Sequence, residues 1–257
     1  MKKLINIKSS IIPIFFQLLI IFIWQLIVDK GIVERFILPS PSDIIFALLK
    51  ILPSIKVHIY TTLKEAAIGF IISVILAVIL AILMDNIKII KRTVYPILVI
   101  SQTIPIIILA PLFAIWFGFG MTPKVIIVVL ICFFPIVISL MDGLNSVEVD
   151  MVNLLKSMGA SRFQIFRMVK FPAAMTNFFS GLRIAATYSI MGAVIGEWVG
   201  GDSGLGFYML RVKKSFAIDK VFAVTLVIIL LSMLLFGLLY LIQYILTPWN
   251  KKSNDNK

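Results

Sequence analysis

Few residues in this chain could carry chemistry, and they are far apart. His58 is the single histidine and Cys132 the single cysteine. With no second imidazole and no paired carboxylates, neither metal ligation nor general acid–base catalysis has a residue set to work with. Cys132 lies in "VVLICFFPIV" and reads as a small buried apolar residue; it has no partner for an internal disulfide. "GDSGLGF" (Gly201–Phe207) is glycine-rich but lacks the lysine of a phosphate-binding loop, and no G-x-x-x-x-G-K-[ST] occurs anywhere. It reads as a tight turn. Arg183 and Glu197 are different, because each falls within an apolar stretch. An ionisable group in such a place is a functional candidate by default. The plainer reading of Glu197 is a helix end in water, or a pairing with a nearby cation.

The setting of these residues is hydrophobic. Hydrophobic residues make up 61% of the chain and charged residues 14%, against about 25% charged in an ordinary soluble domain. That composition implies an integral membrane protein. The net charge of +12 comes mainly from cations in the breaks between apolar runs. Such placement argues for membrane orientation and against nucleic-acid binding.

A membrane-spanning helix needs about 20 mostly apolar residues. Ser9–Val28 is long enough, follows a basic head and lacks a small-residue cleavage site. It is therefore expected to be a retained span and not a signal peptide. Ala66–Met84 is the second. Thr93–Pro123 is uncharged but holds Pro96, Pro105, Pro111 and Pro123, so it reads as one broken or kinked span ending at the Gly118–Gly120 turn. Val125–Met141 is the fourth. Gly181–Gly200 carries Arg183, Glu197 and small polar residues, which suits a helix packed against helices more than one facing lipid. Val221–Leu246 is the last. Six spans put both termini on one side. The basic clusters at Lys88–Arg92 and in the C-terminal tail make that side the cytoplasm. The tail "NKKSNDNK" is expected to be disordered. Asp29–Tyr60 and Gly200–Lys220 become long outer connections, and Asp142–Ser180 an inner loop.

That inner loop holds "NLLKSMGASRFQIFRMVKFPAAM" (Asn153–Met175). Asp150 is a candidate cap for a short helix over Met151–Met158, with Gly159 as a left-handed stop. Ser161 is a candidate cap for a second, amphipathic helix bearing Phe163, Ile165, Phe166 and Val169. Pro172 is expected to end that helix or turn the chain toward the membrane. The residues alone leave two roles open: a rigid knob for docking a partner protein, or a helix lying on lipid.

The segment resembles the cytoplasmic loop of type I ABC importer permeases, whose pattern is Glu-Ala-Ala, three residues, Gly, nine residues, Ile-x-Leu-Pro. Here it reads Asn153-Leu154-Leu155, three residues, Gly159, nine residues, Val169-Lys170-Phe171-Pro172. The glycine and proline match; the Glu-Ala-Ala does not, so a specific role for residue 153 does not carry over. "ILPSPSDI" (Ile37–Ile44), "IPIIILAPLFAIWFGFG" (Ile104–Gly120), "FFPI" (Phe133–Ile136) and "GEWVGGDSGLGFYM" (Gly196–Met209) are similar to the nitrate, sulfonate and taurine branch.

The resemblance implies an all-α polytopic fold with six transmembrane helices in a bacterial cytoplasmic membrane. It implies one transmembrane domain over residues 9–248, with a permease core of about 56–246 and a coupling loop at 142–180. The chain would be a transport subunit without its own ATPase site or cofactor, ATP being bound by a partner. Two permease copies would form the pathway, a separate ABC ATPase would drive it, and an extracytoplasmic binding protein would deliver the small-molecule solute. Coupling to the ATPase would run through Asn153, Leu154, Leu155, Lys156, Ser157, Met158, Gly159, Ala160, Ser161 and Pro172. Candidate pathway-lining residues are Ser101, Gln102, Thr103, Thr187, Tyr188, Ser189 and Glu197; the polar ones equally suit helix–helix hydrogen bonds. The Thr187–Ala223 region is similar to permeases for pyrimidine thiamine precursors, with sulfonate, taurine, nitrate and riboflavin as alternative solutes. A stand-alone secondary transporter or channel would need intramembrane ion sites, for which only Glu197 and Arg183 qualify.

Overall fold

The computed structural model describes residues 2–247, with side chains from residue 12 onward, so the C-terminal tail expected to be disordered lies outside the described residues. Every regular element among the described residues is helical. In order they are α1 (Lys2–Asp29), α2 (Pro41–Asn86), α3 (Lys88–Ser101), α4 (Ile106–Phe117), α5 (Met121–Asn145), α6 (Val149–Ser157), α7 (Arg162–Ile165), a π-helical turn (Phe166–Lys170), α8 (Phe171–Gly200), α9 (Leu205–Lys214) and α10 (Ile218–Leu246). Among the described residues five helices are long and apolar enough to cross a membrane, and six if α3 and α4 count as one broken span. Helices are the solution forced on a chain in lipid, where each backbone N–H and C=O must be satisfied within its own segment.

The chain forms two compact units, one of residues up to His58 with Tyr208–Val227, the other of Ile59–Phe207 with the chain from Ile228. In the first, "PSPSD" starts α2. The Asp43 N–H donates to Ser40 Oγ at 3.2 Å and the Ser40 N–H to Asp43 Oδ2 at 3.3 Å. This reciprocal pair, with Pro41 at the first helical position, is a complete helix-start signal. Gln25 ties α1 to that start, donating to Ser42 Oγ and accepting from the Ser42 N–H. Arg35 bridges Asp29 and Asp43. The His58 ring stacks obliquely on Tyr208, which also carries the Arg211 guanidinium over its face.

In the second unit α5 and α8 form the centre of the core. Val128, Cys132, Ile136, Val137, Leu140, Met141 and Leu144 of α5 meet Phe179, Leu182, Ala185, Ile190 and Ala193 of α8, with Ala66, Ala77, Ala81 and Met84 of α2 alongside. Where lipid is as apolar as the side chains, close backbone approach replaces the hydrophobic effect as the source of affinity. Gly181 shows this: a Cβ there would meet the Pro135 carbonyl and the Ser139 side chain. Cys132 is fully buried, its thiol directed at the Ala185 carbonyl.

Several boundaries differ from the sequence expectation. α2 runs for 46 residues, so much of the expected Asp29–Tyr60 connection is helix. The Gly200–Lys220 connection contains α9. The inner loop is also mostly helical, because α8 continues back through the π turn to Arg162 as one 39-residue helix. Pro172 therefore does not end a helix. It sits at the start of α8, directly after the π turn. The wider turn relieves the clash between a proline ring and the carbonyl four residues earlier. α3 and α4 meet at 98°, a break placed by Gln102–Pro105.

Candidate functional site

α6 and the turn after it form a tightly specified knob. Glu148 stands at the N-cap with no side-chain cap bond, so Asp150 is not the cap; it lies in the first turn, where its charge favours the helix dipole. The C-terminal end is closed by a pair of backbone bonds. The Gly159 N–H donates to Lys156 O at 2.9 Å and the Ala160 N–H to Leu155 O at 3.0 Å, with Gly159 at φ +84°. This is the paired-bond stop that a residue in the left-handed region permits. Two residues on, Ser161 starts α7 with a reciprocal cap: the Gln164 N–H donates to Ser161 Oγ and the Ser161 N–H to Gln164 Oε1 at 2.7 Å. Both helix ends facing the corner are thus satisfied by their own residues.

The knob leaves several of its apolar side chains uncovered. Val149 (70%), Leu154 (62%), Met158 (74%) and Phe163 (69%) are exposed, together with Met151. Asn153, Lys156, Ser157, Gly159 and Ser161 are exposed as well, while Leu155 and Ala160 are half-buried. Ile165 is buried and anchors the corner. Lys170 Nζ reaches Asp85 Oδ1 at 2.7 Å, tying the base of the knob to the end of α2.

The candidate pathway residues fall into two groups. Ser101, Gln102 and Thr103 are exposed at the break between α3 and α4. The hydroxyls of Ser101 and Thr103 are returned to Leu98 O and Ile100 O. Tyr188 is exposed on α8 and Thr187 half-buried beside it, the Thr187 hydroxyl donating to Ile184 O at 2.8 Å. Ser189 is buried, donating to Ala186 O. Arg183 is held by neutral acceptors, Gln243 Oε1 and Ser180 Oγ, with Phe236 beneath its guanidinium.

Glu197 is 1% exposed and lies in a buried polar cluster. The Thr62 hydroxyl donates to Glu197 Oε1 at 2.6 Å, and the Gly206 N–H donates to Oε2. Thr62 Oγ1 in turn accepts from the Leu205 N–H at 2.8 Å. Close by in sequence to Thr62, Glu65 Oε1 accepts from Lys124 Nζ at 2.8 Å, both side chains being under 5% exposed. The carboxylate and hydroxyl thus satisfy the first two N–H groups of α9. Thr62, Glu65 and Lys124 were missed from the sequence. The signal was a lone carboxylate and a lone ammonium, each at the margin of an apolar run, where each looks like a solvated end.

The turn between α8 and α9 fits over this carboxylate only because residue 204 is glycine. Gly204 sits at φ +108°, and a Cβ on it would collide with the Glu197 carboxylate. Gly204→Ala is therefore expected to cost about 2 kcal/mol or more, combining backbone strain with overpacking. Thermal unfolding in micelles and protease cleavage within 201–206 measure this; an unchanged melting point with unchanged cleavage would count against the strap.

The family model described as binding-protein-dependent transport system inner membrane component matches residues 69–252. The formylaminopyrimidine transport permease protein ThiX of Halalkalibacterium halodurans is 38% identical over 94% of this chain and 96% of that protein. The riboflavin transport system permease protein RibX of Chloroflexus aurantiacus is 32% identical over 93% of this chain and 89% of that protein. A solved inward-facing structure of the MetNI methionine ABC transporter superposes with a TM-score of 0.58 at 20% identity, covering 72% of this chain and 91% of that one. That likeness shows the fold. The chain belongs to the binding-protein-dependent transport system inner membrane component family and is a multi-pass inner-membrane permease subunit of an ABC importer.

Proposed function

We propose that the knob of α6 and its glycine corner is the element through which a separate ABC ATPase drives this permease. The observation that carries the reading is the combination of exposed apolar side chains with a backbone closed by its own hydrogen bonds. Such a unit can seat in a groove and transmit force without unfolding. The Lys170–Asp85 pair and buried Ile165 carry that force into α8 and α2. The departure at Asn153 fits this reading, because the docking surface is formed by Leu154, Met158 and Phe163.

The basic residues Lys88, Lys91, Lys156, Arg162 and Lys170 gather at this same end: Lys91 bonds Asn145, Lys170 bonds Asp85, and the other three line one cavity. The positive-inside rule makes it the cytoplasmic end and places both termini there. On the other side an extracytoplasmic binding protein hands over the solute, and two copies of the chain enclose the pathway. The exposed Ser101, Gln102, Thr103 and Tyr188, with Thr187, are assigned to its lining, and Ser189 and Glu197 to packing.

For the solute we propose a pyrimidine precursor of thiamine, supported by the identity to the formylaminopyrimidine permease over nearly the whole of both chains. The test is uptake by proteoliposomes holding the permease, the ATPase that copurifies with it, and its binding protein. Labelled formylaminopyrimidine is expected to enter only with ATP, without competition from taurine, nitrate or riboflavin. Competition by riboflavin or taurine would reassign the substrate. Uptake by the chain alone would overturn the coupling role.

A further inference from the structure

Beneath the knob lies a cavity of about 440 Å³, lined among others by Asp85, Lys88, Lys156, Arg162, Phe166 and Lys170. Four of these are cations and one is a carboxylate, and that carboxylate is already engaged by Lys170 at 2.7 Å. Lys88, Lys156 and Arg162 have no carboxylate within ion-pair distance among the described residues. They come from three different elements: the start of α3, α6 and the start of α7. Cations drawn from separate elements to one concavity repel each other and raise the local potential. An anion seated among them would reverse that cost.

The depth of the cavity says which anion. Its wall includes Asp85 and Asn86, the last residues of α2, whose apolar window has a mean hydropathy of 3.1. Lys88 follows at once, between the exposed side chains of Ile87 and Ile89. The cations therefore stand where hydrocarbon gives way to headgroups, and the two isoleucines stand where an acyl chain would lie. Basic pockets between helices at this level recognise lipid phosphates. Arg162 supplies the two-pronged donor fork that suits phosphate oxygens, and the lysines supply point charges.

We propose that this cavity is a binding site for a phosphate-bearing anion, supplied by an anionic phospholipid headgroup. Its occupant would brace α6 through Lys156 and the base of α8 beside Lys170. The site does not depend on what the permease carries, and the residues tested below, Lys88 and Arg162, are not among those assigned to ATPase coupling.

The experiment is native mass spectrometry of the full-length chain in micelles doped with phosphatidylglycerol or phosphatidylcholine. Preferential retention of phosphatidylglycerol is expected. Lys88→Gln should weaken it about fivefold, and Lys88→Gln with Arg162→Gln about 25-fold, from the contribution of each basic residue near an anionic surface. The charge-preserving pair Lys88→Arg with Arg162→Lys should retain most of it, which guards against reading a folding defect as lost binding. In the unmodified chain, phosphatidylglycerol should shield Lys88 from amine acylation. If lipid shows no preference but inorganic phosphate at constant ionic strength raises the melting point of the wild type and not of the double Gln variant, the site takes a free phosphate ion. No lipid preference with no phosphate effect, or wild-type retention in the double Gln variant, would overturn the proposal.

Discussion

Gly159→Pro is expected to abolish ATP-coupled uptake while the protein still reaches the membrane. Proline holds φ near −65°, whereas residue 159 sits at +84°. Proline also removes the N–H that closes α6 onto Lys156 O. The stop that joins α6 to α7 would be lost from both causes at once, and with it the arrangement of α6 relative to α7. The damage should stay local. Residue 159 is exposed, with nothing within 4 Å of where a Cβ would stand, so the core of α5 and α8 is untouched. For the same reason Gly159→Ala should be mild, costing only the left-handed backbone penalty of about 1–2 kcal/mol. Membrane-fraction immunoblotting and uptake, measured together, separate the outcomes. Normal uptake in the proline variant would sink the coupling role of this corner.

Lys124→Met should destabilise the permease by about 3–5 kcal/mol, the cost of leaving a buried carboxylate without its partner. Lys124 and Glu65 are 4% and 3% exposed and 2.8 Å apart, linking α5 to α2. The double change Lys124→Met with Glu65→Leu removes both charges at similar volume and should recover most of the loss, because a buried ion pair owes much of its apparent strength to the penalty of breaking it. Thermal unfolding in micelles of the wild type, the single variant and the double variant checks both halves. A single variant as stable as the wild type would mean that Glu65 is solvated or neutral without Lys124.

Local backbone chemistry was readable because it is written in adjacent residues. Gly159 announces a left-handed stop and Ser161 a helix start, and each does what its type implies. The prolines of Thr93–Pro123 announced a break, which falls at Gln102–Pro105. Pro172 misled because its usual consequence is cancelled by the π turn before it, and no residue type signals a π turn. The length of α2 was hidden by Lys50, Lys56 and Lys64, which lower hydropathy without interrupting a helix. Long-range polar partners were least legible. Thr62 meets Glu197 across 135 positions and Lys124 meets Glu65 across 59, and nothing flanking either residue names its partner.

From Arg162 to Gly200 the chain is a single helix of 39 residues, about 58 Å long at 1.5 Å per residue. One end begins just after the Gly159 corner; the other ends three residues past Glu197, against the turn that Gly204 and Gly206 close. Such a rod acts as a beam: a tilt of about 5° at one end sweeps the other by about 5 Å over that length. Under the coupling role proposed above, no relay of side chains is required to carry a stroke along it. The π turn at Phe166–Lys170 interrupts the regular α-helical ladder of that beam, and it lies next to the Gly159 corner and not at the far end.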